Sequence, residues 1–240
     1  TEYIGESPQI SSFSSQMQEF PRQGDSHIVL SSGEASEATQ SPGYFASTDV
    51  GGRTIPNYSP DNYTANDVAE LQIEFTIPEG GKGIALDYQF GTDEAPSFIG
   101  SEFQDFCEIL LFLPDGSVSN IGTLPNGNAV TVDNASDYSN VPSGSSQDPG
   151  APLPDPPDIC YNAVTELFTA ERSLGSYEGE QARLVIRVAD ATDNVFDSAI
   201  LFDNLRFVGE VEDPVGPVEQ ALNDHRDAVI NTIEGAIRAE

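Results

Sequence analysis

Three aspartates, Asp190, Asp193 and Asp197, follow one another at spacings of three and four in a short loop between strand-like residues 183–188 and 200–207. Carboxylates on so short a loop can turn toward one point. There they repel one another unless a cation sits among them. An oxygen-only donor set suits a hard cation, and calcium is the candidate cofactor. The loop is not an EF-hand, because the glycine at the sixth position and the distal Glu of that motif are missing. The competing reading is a solvated acidic turn, and the loop alone leaves both open.

Such a loop needs strands to hold its two ends. Residues 27–31 predict a short strand closed by Ser32-Gly33. Leu71, Ile73, Phe75 and Ile77 alternate with polar residues, as do Ile84, Leu86, Tyr88 and Phe90. With Pro78-Glu79-Gly80-Gly81 between them, the two runs predict a hairpin. Residues 106–113 are apolar at nearly every position and predict a central strand covered on both faces. Shorter strands are expected at 128–132 and 164–170. Residues 34–66 and 133–158 predict long loops, the second extended by Pro149, Pro152, Pro154, Pro156 and Pro157. Many short strands and little helical period predict an all-β, jelly-roll-like β-sandwich over residues 27–209, preceded by an extended segment, 1–26.

The end of the chain differs. Residues 210–216 read as a linker, and residues 217–240 predict an amphipathic α-helix with Leu222, Val229, Ile233 and Ile237 on one side. A lone helix cannot bury such a stripe, so it packs on its own domain, on a second copy or on a partner. Its acidic polar face argues against a membrane surface.

Composition narrows the setting. The 240 residues carry 9 basic and 40 acidic side chains, a formal net charge of −31, with one Lys, Lys82, and no Trp. That self-repulsion is costly in dilute buffer, but at molar salt the screening length shrinks to about 3 Å. The expected source is a halophilic archaeon. No basic face is available to neutralise phosphates, which excludes nucleic acid as a partner. No apolar run approaches the roughly 20 residues of a transmembrane helix.

Cys107 and Cys160 form one candidate disulfide, worth roughly 4 kcal/mol in the chain-entropy model, and export favours a bridge over free thiols. Asn57, Asn62 and Asn134 begin glycosylation sequons. Together with a first residue other than Met, they lead to the expectation of an extracellular, cell-surface protein secreted after signal-peptide removal.

The order of motifs resembles the choice-of-anchor L domain of secreted and surface proteins. Residues 27–35, HIVLSSGEA, resemble its GIVLSTGNA element, and residues 67–75 resemble the element after it. Residues 91–105, GTDEAPSFIGSEFQD, are similar to its SEEYPEFVGSxFND core, and residues 189–204 to its ADxxDxxxDSAxFxDN close. Asp93-Glu94-Ala95 replaces the Glu-Glu-Tyr triplet, and Gln104 replaces Asn. The likeness spans about residues 5–209 and implies an exported, non-catalytic surface module. It also implies a second half for the cation site, with Glu94, Glu102 and Asp105 approaching Asp190, Asp193 and Asp197.

Nothing in the chain selects catalysis. His27 begins a strand, His225 lies in the expected helix, and Cys107 sits in an apolar strand without a neighbouring base. The expectation is therefore a calcium-stabilised structural subunit. It would form a homo-oligomer, filament or surface layer through the N-terminal segment, the C-terminal helix or both. The alternatives are a calcium-dependent adhesin for cell-surface glycans, with Tyr44, Phe45, Tyr58 and Tyr63 as contacts, or a domain anchored through the helix as a stalk.

Overall fold

The computed structural model describes residues 1–41, 44–58, 63–141 and 158–209. Period-two alternation puts most of them in strands: β1 Glu2–Ile4, β2 Ile10–Phe13, β3 His27–Ser31, β4 Arg53–Tyr58, β5 Tyr63–Thr76, β6 Gly83–Thr92 and β7 Phe106–Phe112. These are followed by β8 Val118–Asn120, β9 Val130–Thr131, β10 Ala163–Val164, β11 Phe168–Ser173, β12 Gln181–Ala191 and β13 Ser198–Val208. Helix is confined to short turns, of which α1, Val132–Ser136, is the one α-helix among the described residues.

The strands form two antiparallel sheets. One has seven strands in the order β1-β5-β12-β7-β8, with β4 beside β5 and β9 beside β7. The other has six in the order β10-β6-β13-β3-β2, with β11 beside β6. Inward side chains of both sheets make one core, in which Tyr88, Phe90, Ile109, Leu111, Ile186 and Ile200 are buried almost completely. Each such side chain contributes on the order of 1.5–3 kcal/mol of burial. A second cluster coats the outer face of the six-stranded sheet. There Phe20, Met17, Ala38 and Tyr161 from the loops pack on Val29 and Leu201.

That outer coat corrects two expectations. β5 and β6 are not a hairpin: they lie in opposite sheets, and the Pro78–Gly81 turn carries the chain across the core. β6 is buried at all ten positions because loops cover its outer face. The strand expected to be covered on both faces, β7, instead leaves Glu108, Leu110 and Phe112 half-buried on the outer face of the seven-stranded sheet.

The first residues also differ from expectation. They do not extend from the sandwich but belong to it: β1 pairs with β5 in one sheet and β2 with β3 in the other. Between these strands the Gln9 amide donates to the Ser32 and Asp67 carbonyls at 2.8 and 2.5 Å, tying the two sheets.

The expected disulfide is absent. Cys107 and Cys160 are free and buried, the first in the inter-sheet core and the second in the outer cluster. The six-stranded sheet lies between those clusters, whereas a bridge needs Cα atoms within about 7 Å. Burial pushes both thiols well above their ordinary pKa, which leaves them unreactive. The expected linker and C-terminal helix, most of the proline-rich loop, His225 and Asn62 lie outside the described residues. Among the described residues no helix is long and apolar enough to cross a membrane.

A candidate cation centre of buried carboxylates

The acidic loop is set by an irregularity in β12. Its register against β5 shifts between Val188 and Asp190, and the chain then turns through positive φ at Thr192 and Phe196. Asp190 is thereby turned into the protein, where it is 1 % exposed.

Most neighbouring carboxylates have work that is visible in their hydrogen bonds. Asp93 accepts the Ala46 and Asn162 amides at 2.7 and 2.8 Å, clasping two loops far apart in sequence. Asp197 accepts the Thr48 amide with both oxygens at 3.1 Å. Its carboxylate fills the space that a side chain at residue 33 would need: a Cβ built on Gly33 lies 1.8 Å from Asp197 Oδ2. Asp105 accepts the Ala191 amide at 2.9 Å and the Ser198 hydroxyl at 2.7 Å, joining the start of β7 to β12 and β13.

Asp190 has no such donor. Neither of its oxygens has a hydrogen-bond partner. Burial first, then the charges of Asp105, Asp197 and Asp67, push its pKa well up, against a lowering effect of the Ser32 hydroxyl. That hydroxyl is bonded to the Ser198 backbone. Three further buried carboxylate oxygens without partners are Glu94 Oε2, Asp67 Oδ2 and Glu37 Oε2. Burial raises Glu94 to about 9, Asp105 to about 8 and Asp197 to about 7, and neighbouring carboxylates add to each rise.

The six expected residues therefore lie in one electrostatically linked set. Asp105 and Asp197 act on Asp190, Asp105 and Asp193 act on Glu94, and Glu102 acts on Asp193. They do not share one point. Among the described residues no three carboxylate, imidazole or thiol groups are arranged to hold a metal ion together. Glu102 is exposed, with its carbonyl accepting from Thr192 at 3.0 Å, and Asp193 is half-buried. The chemistry of the set fits a hard cation. The positions of its side chains leave Asp190 as the one buried carboxylate of the set with neither oxygen bonded.

Asp67 was not singled out in the sequence. It accepts the Gly52 amide at 2.5 Å and is 3 % exposed. The available signal is its place in the odd-numbered row of Ala69 and Leu71, which alternation turns inward.

The remaining expected sites are scattered. Tyr58 belongs to β4, stacks on Phe106 at 5.2 Å and donates to Glu108. Phe45 packs edge-on against Phe196 at 5.9 Å, and Tyr63 packs beside the Ala65 and Val68 cluster. Tyr44 is 42 % exposed and donates to Glu37 at 2.9 Å. Asn57 is exposed, whereas the Asn134 amide nitrogen donates to the Ala129 carbonyl at 3.1 Å. His27 is buried between Phe13 and Phe20, with neither ring nitrogen bonded.

Solved structures similar to the chain include TmCBM61 in complex with beta-1,4-galactotriose, at 8 % identity and a TM-score of 0.40, over 87 % of this chain and 88 % of that one. CBM28, a non-crystalline cellulose specific carbohydrate-binding module, is 9 % identical at 0.39 over the same shares. The enzymatically active domain of Bacteriophage CBA120 tailspike protein 4 is 8 % identical at 0.31, over 85 % of this chain and 19 % of that one. No curated protein matches the sequence. The model of the choice-of-anchor L domain matches residues 1–208, and the chain belongs to that family.

Proposed function

We propose that this chain is an exported, non-catalytic module of the cell surface. Its jelly-roll-like sandwich would present loops to surface glycans and use calcium to close its acidic end. Family membership points to the cell surface. The carboxylate-rich composition supports a halophilic setting, where molar salt screens a net charge of −31.

One observation carries the calcium reading: Asp190 is 1 % exposed, and neither of its oxygens has a donor. An ionised carboxylate in that position costs several kcal/mol unless something neutralises it. No three of these carboxylates are arranged to hold a metal ion together among the described residues. Asp190 would be the ligand, solvent water would complete the coordination, and the oxygens of Asp105 and Asp67 would add negative charge nearby. When bound, calcium supplies the missing positive charge and coordination. The chain's own part is to orient these oxygens, which it does through the Ala191 and Ser198 donors to Asp105 and the Gly52 donor to Asp67.

Adhesion is favoured over filament formation by strand exchange. β1 and β2 are already paired within their own sheets, so the expected donor segment is in use. Tyr44, exposed beside Glu37, is the candidate glycan contact.

Calorimetric titration of chelator-treated protein with calcium, in molar potassium chloride, tests the site. One calcium per chain is expected, and none for Asp190→Asn. Saturation at a hundredfold excess over Kd should add about 2.7 kcal/mol of stability. Absence of heat together with an unchanged Tm in wild type would remove calcium from the account and leave a protonated Asp190. Binding of surface glycans on an array, lost in chelator and in Tyr44→Ala, tests the adhesive half.

A further inference from the structure

Three loops meet at the acidic end of the sandwich, and each brings a phenylalanine to the surface. Phe45 comes from the loop before β4, Phe98 and Phe103 from the loop before β7, and Phe196 from the loop between β12 and β13. The rings form a chain: Phe45 to Phe196 at 5.9 Å, Phe196 to Phe98 at 5.5 Å and Phe98 to Phe103 at 5.5 Å. All four are half-buried, and none belongs to the buried clusters of the sandwich. Tyr44 and Val195, their neighbours in sequence, are 42 % and 41 % exposed. Hydrogen bonds fix the loops to one another. The Phe196 amide donates to Ser47 Oγ at 3.2 Å, and Thr192 Oγ1 donates to the Glu102 carbonyl at 3.0 Å. Phe196 itself is held at a φ of 66°, which a bulky side chain adopts only where its surroundings impose it.

We infer that this aromatic strip is a binding site for a neutral sugar ring, which narrows the glycan ligand of the proposed function and rests on that reading. A contiguous apolar patch left at the surface marks a contact site. The faces of its rings are electron-rich, which suits the polarised C–H face of a pyranose. The flanking groups set the rest of the ligand. Exposed Glu102 directly precedes Phe103, and Asp193 lies three residues before Phe196. An ionised carboxylate only accepts hydrogen bonds, so the partner must be apolar on its face and rich in donors at its edge. A sugar ring with its hydroxyls meets both requirements. The same carboxylates, in a chain of net charge −31, repel anionic lipid and acidic sugars. Across a contact between two copies they would face their own kind.

An array of neutral hexose oligosaccharides and of uronate-containing ones, probed with the full chain in molar potassium chloride and calcium, tests this. Wild type is expected on the neutral glycans alone. Phe45→Ala/Phe98→Ala should weaken that binding about tenfold, and a cooperative melting transition shows that the variant is folded. A second measurement does not depend on truncation: Phe98→Trp gives the chain its only tryptophan. The oligosaccharide that the array retains should slow acrylamide quenching of this tryptophan about twofold. Unchanged quenching, or undiminished binding by the double variant, overturns the inference and leaves the adhesive reading with Tyr44 as its contact. Retention on uronate-containing glycans alone overturns it too, as does a dimer that the double variant dissolves. A wild type that retains no glycan removes both the inference and the adhesive reading.

Discussion

Glu70 and Asp190 are equally deep, 2 % and 1 % exposed, and the protein treats them in opposite ways. Glu70 lies on the outer face of the seven-stranded sheet. It accepts Arg187 Nη2 at 2.6 Å and Nε at 2.8 Å, together with the Gln72 amide, and Arg53 stands 3.7 Å away. Burial alone would raise its pKa, but these partners outweigh burial and hold the carboxyl below its usual range. Asp190 has other carboxylates and the Ser32 hydroxyl near it but no cation, and its pKa goes well up. Depth therefore does not decide ionisation; the supply of donors does. One region carries its counter-charge within the covalent chain, and the other leaves it to ions or protons from the solvent.

The strongest way to break this contrast is to take the cation out of the first region. Arg187 also bonds Glu108 at 3.2 Å and lies over the Tyr58 ring at 5.2 Å, so Arg187→Met strands two carboxylates at once. Removing one partner of a buried pair costs about 3–5 kcal/mol. For a chain of this length that is a fall in Tm of roughly 6–20 °C. Adding Glu70→Gln and Glu108→Gln to the same chain should restore at least half of the loss. A neutral Arg187→Met would mean that the outer face gains nothing from its internal counter-charge.

The pH dependence comes next in size and has opposite signs in the two regions. Glu94, Asp105 and Asp197 have folded pKa values raised to about 9, 8 and 7. Unfolded carboxyls titrate near 4, so between these limits the folded state holds protons that the unfolded state has released. Their contribution is complete below about pH 4 and is lost as pH rises through 7 to 9. Glu70, with its lowered pKa, contributes above about pH 4 and loses its share as pH falls below that. In chelator, Tm should fall by several degrees from pH 5 to pH 9, and saturating calcium should flatten the slope. A flat profile in chelator would contradict the assignment of the acidic end as a region short of counter-charge.

Both regions were visible in the sequence as residue types, but neither was visible as an arrangement. Alternation located β5 and β6 because the two faces of a strand differ in polarity. Alternation says nothing about partners, which is why residues 71–77 and 84–90 look like a hairpin and lie instead in opposite sheets. The coat over β6 comes from loops at 17–20, 35–46 and 159–161, whose approach no local pattern records. The carboxylates at 190, 193 and 197 were legible as acids on a loop. Their division of labour was not, since Asp197 takes the amide of Thr48, distant in sequence, while Asp190 takes none. Arg187 was read as one residue of a strand, and the register that places it opposite both Glu70 and Glu108 exists only in the folded sheet.

A smaller effect tests how tightly the acidic end is built. In Gly33→Ala the new Cβ would lie 1.8 Å from Asp197 Oδ2, so the carboxylate must move off the Thr48 amide that it clasps. Overpacking of this kind costs about 1–3 kcal/mol. Gly209→Ala, with nothing within 4 Å of its Cβ, is the control and should be silent. Equal stability of the two variants would show that Asp197 can leave its seat freely.

The smallest expected change concerns the two thiols, and it separates the regions without altering either. Because Cys107 and Cys160 are free, reductant should move Tm by less than about 2 °C, whereas breaking a bridge across this span would cost roughly 4 kcal/mol. Both thiols should label only on opening. Cys160 feels the charges of Asp93 and Asp197, while Cys107 lies in the core between the sheets. Calcium that closes the acidic end should slow labelling of Cys160 severalfold and leave Cys107 unchanged. Equal slowing of both would mean that the ion raises the stability of the whole sandwich, and the acidic end would then have no opening of its own.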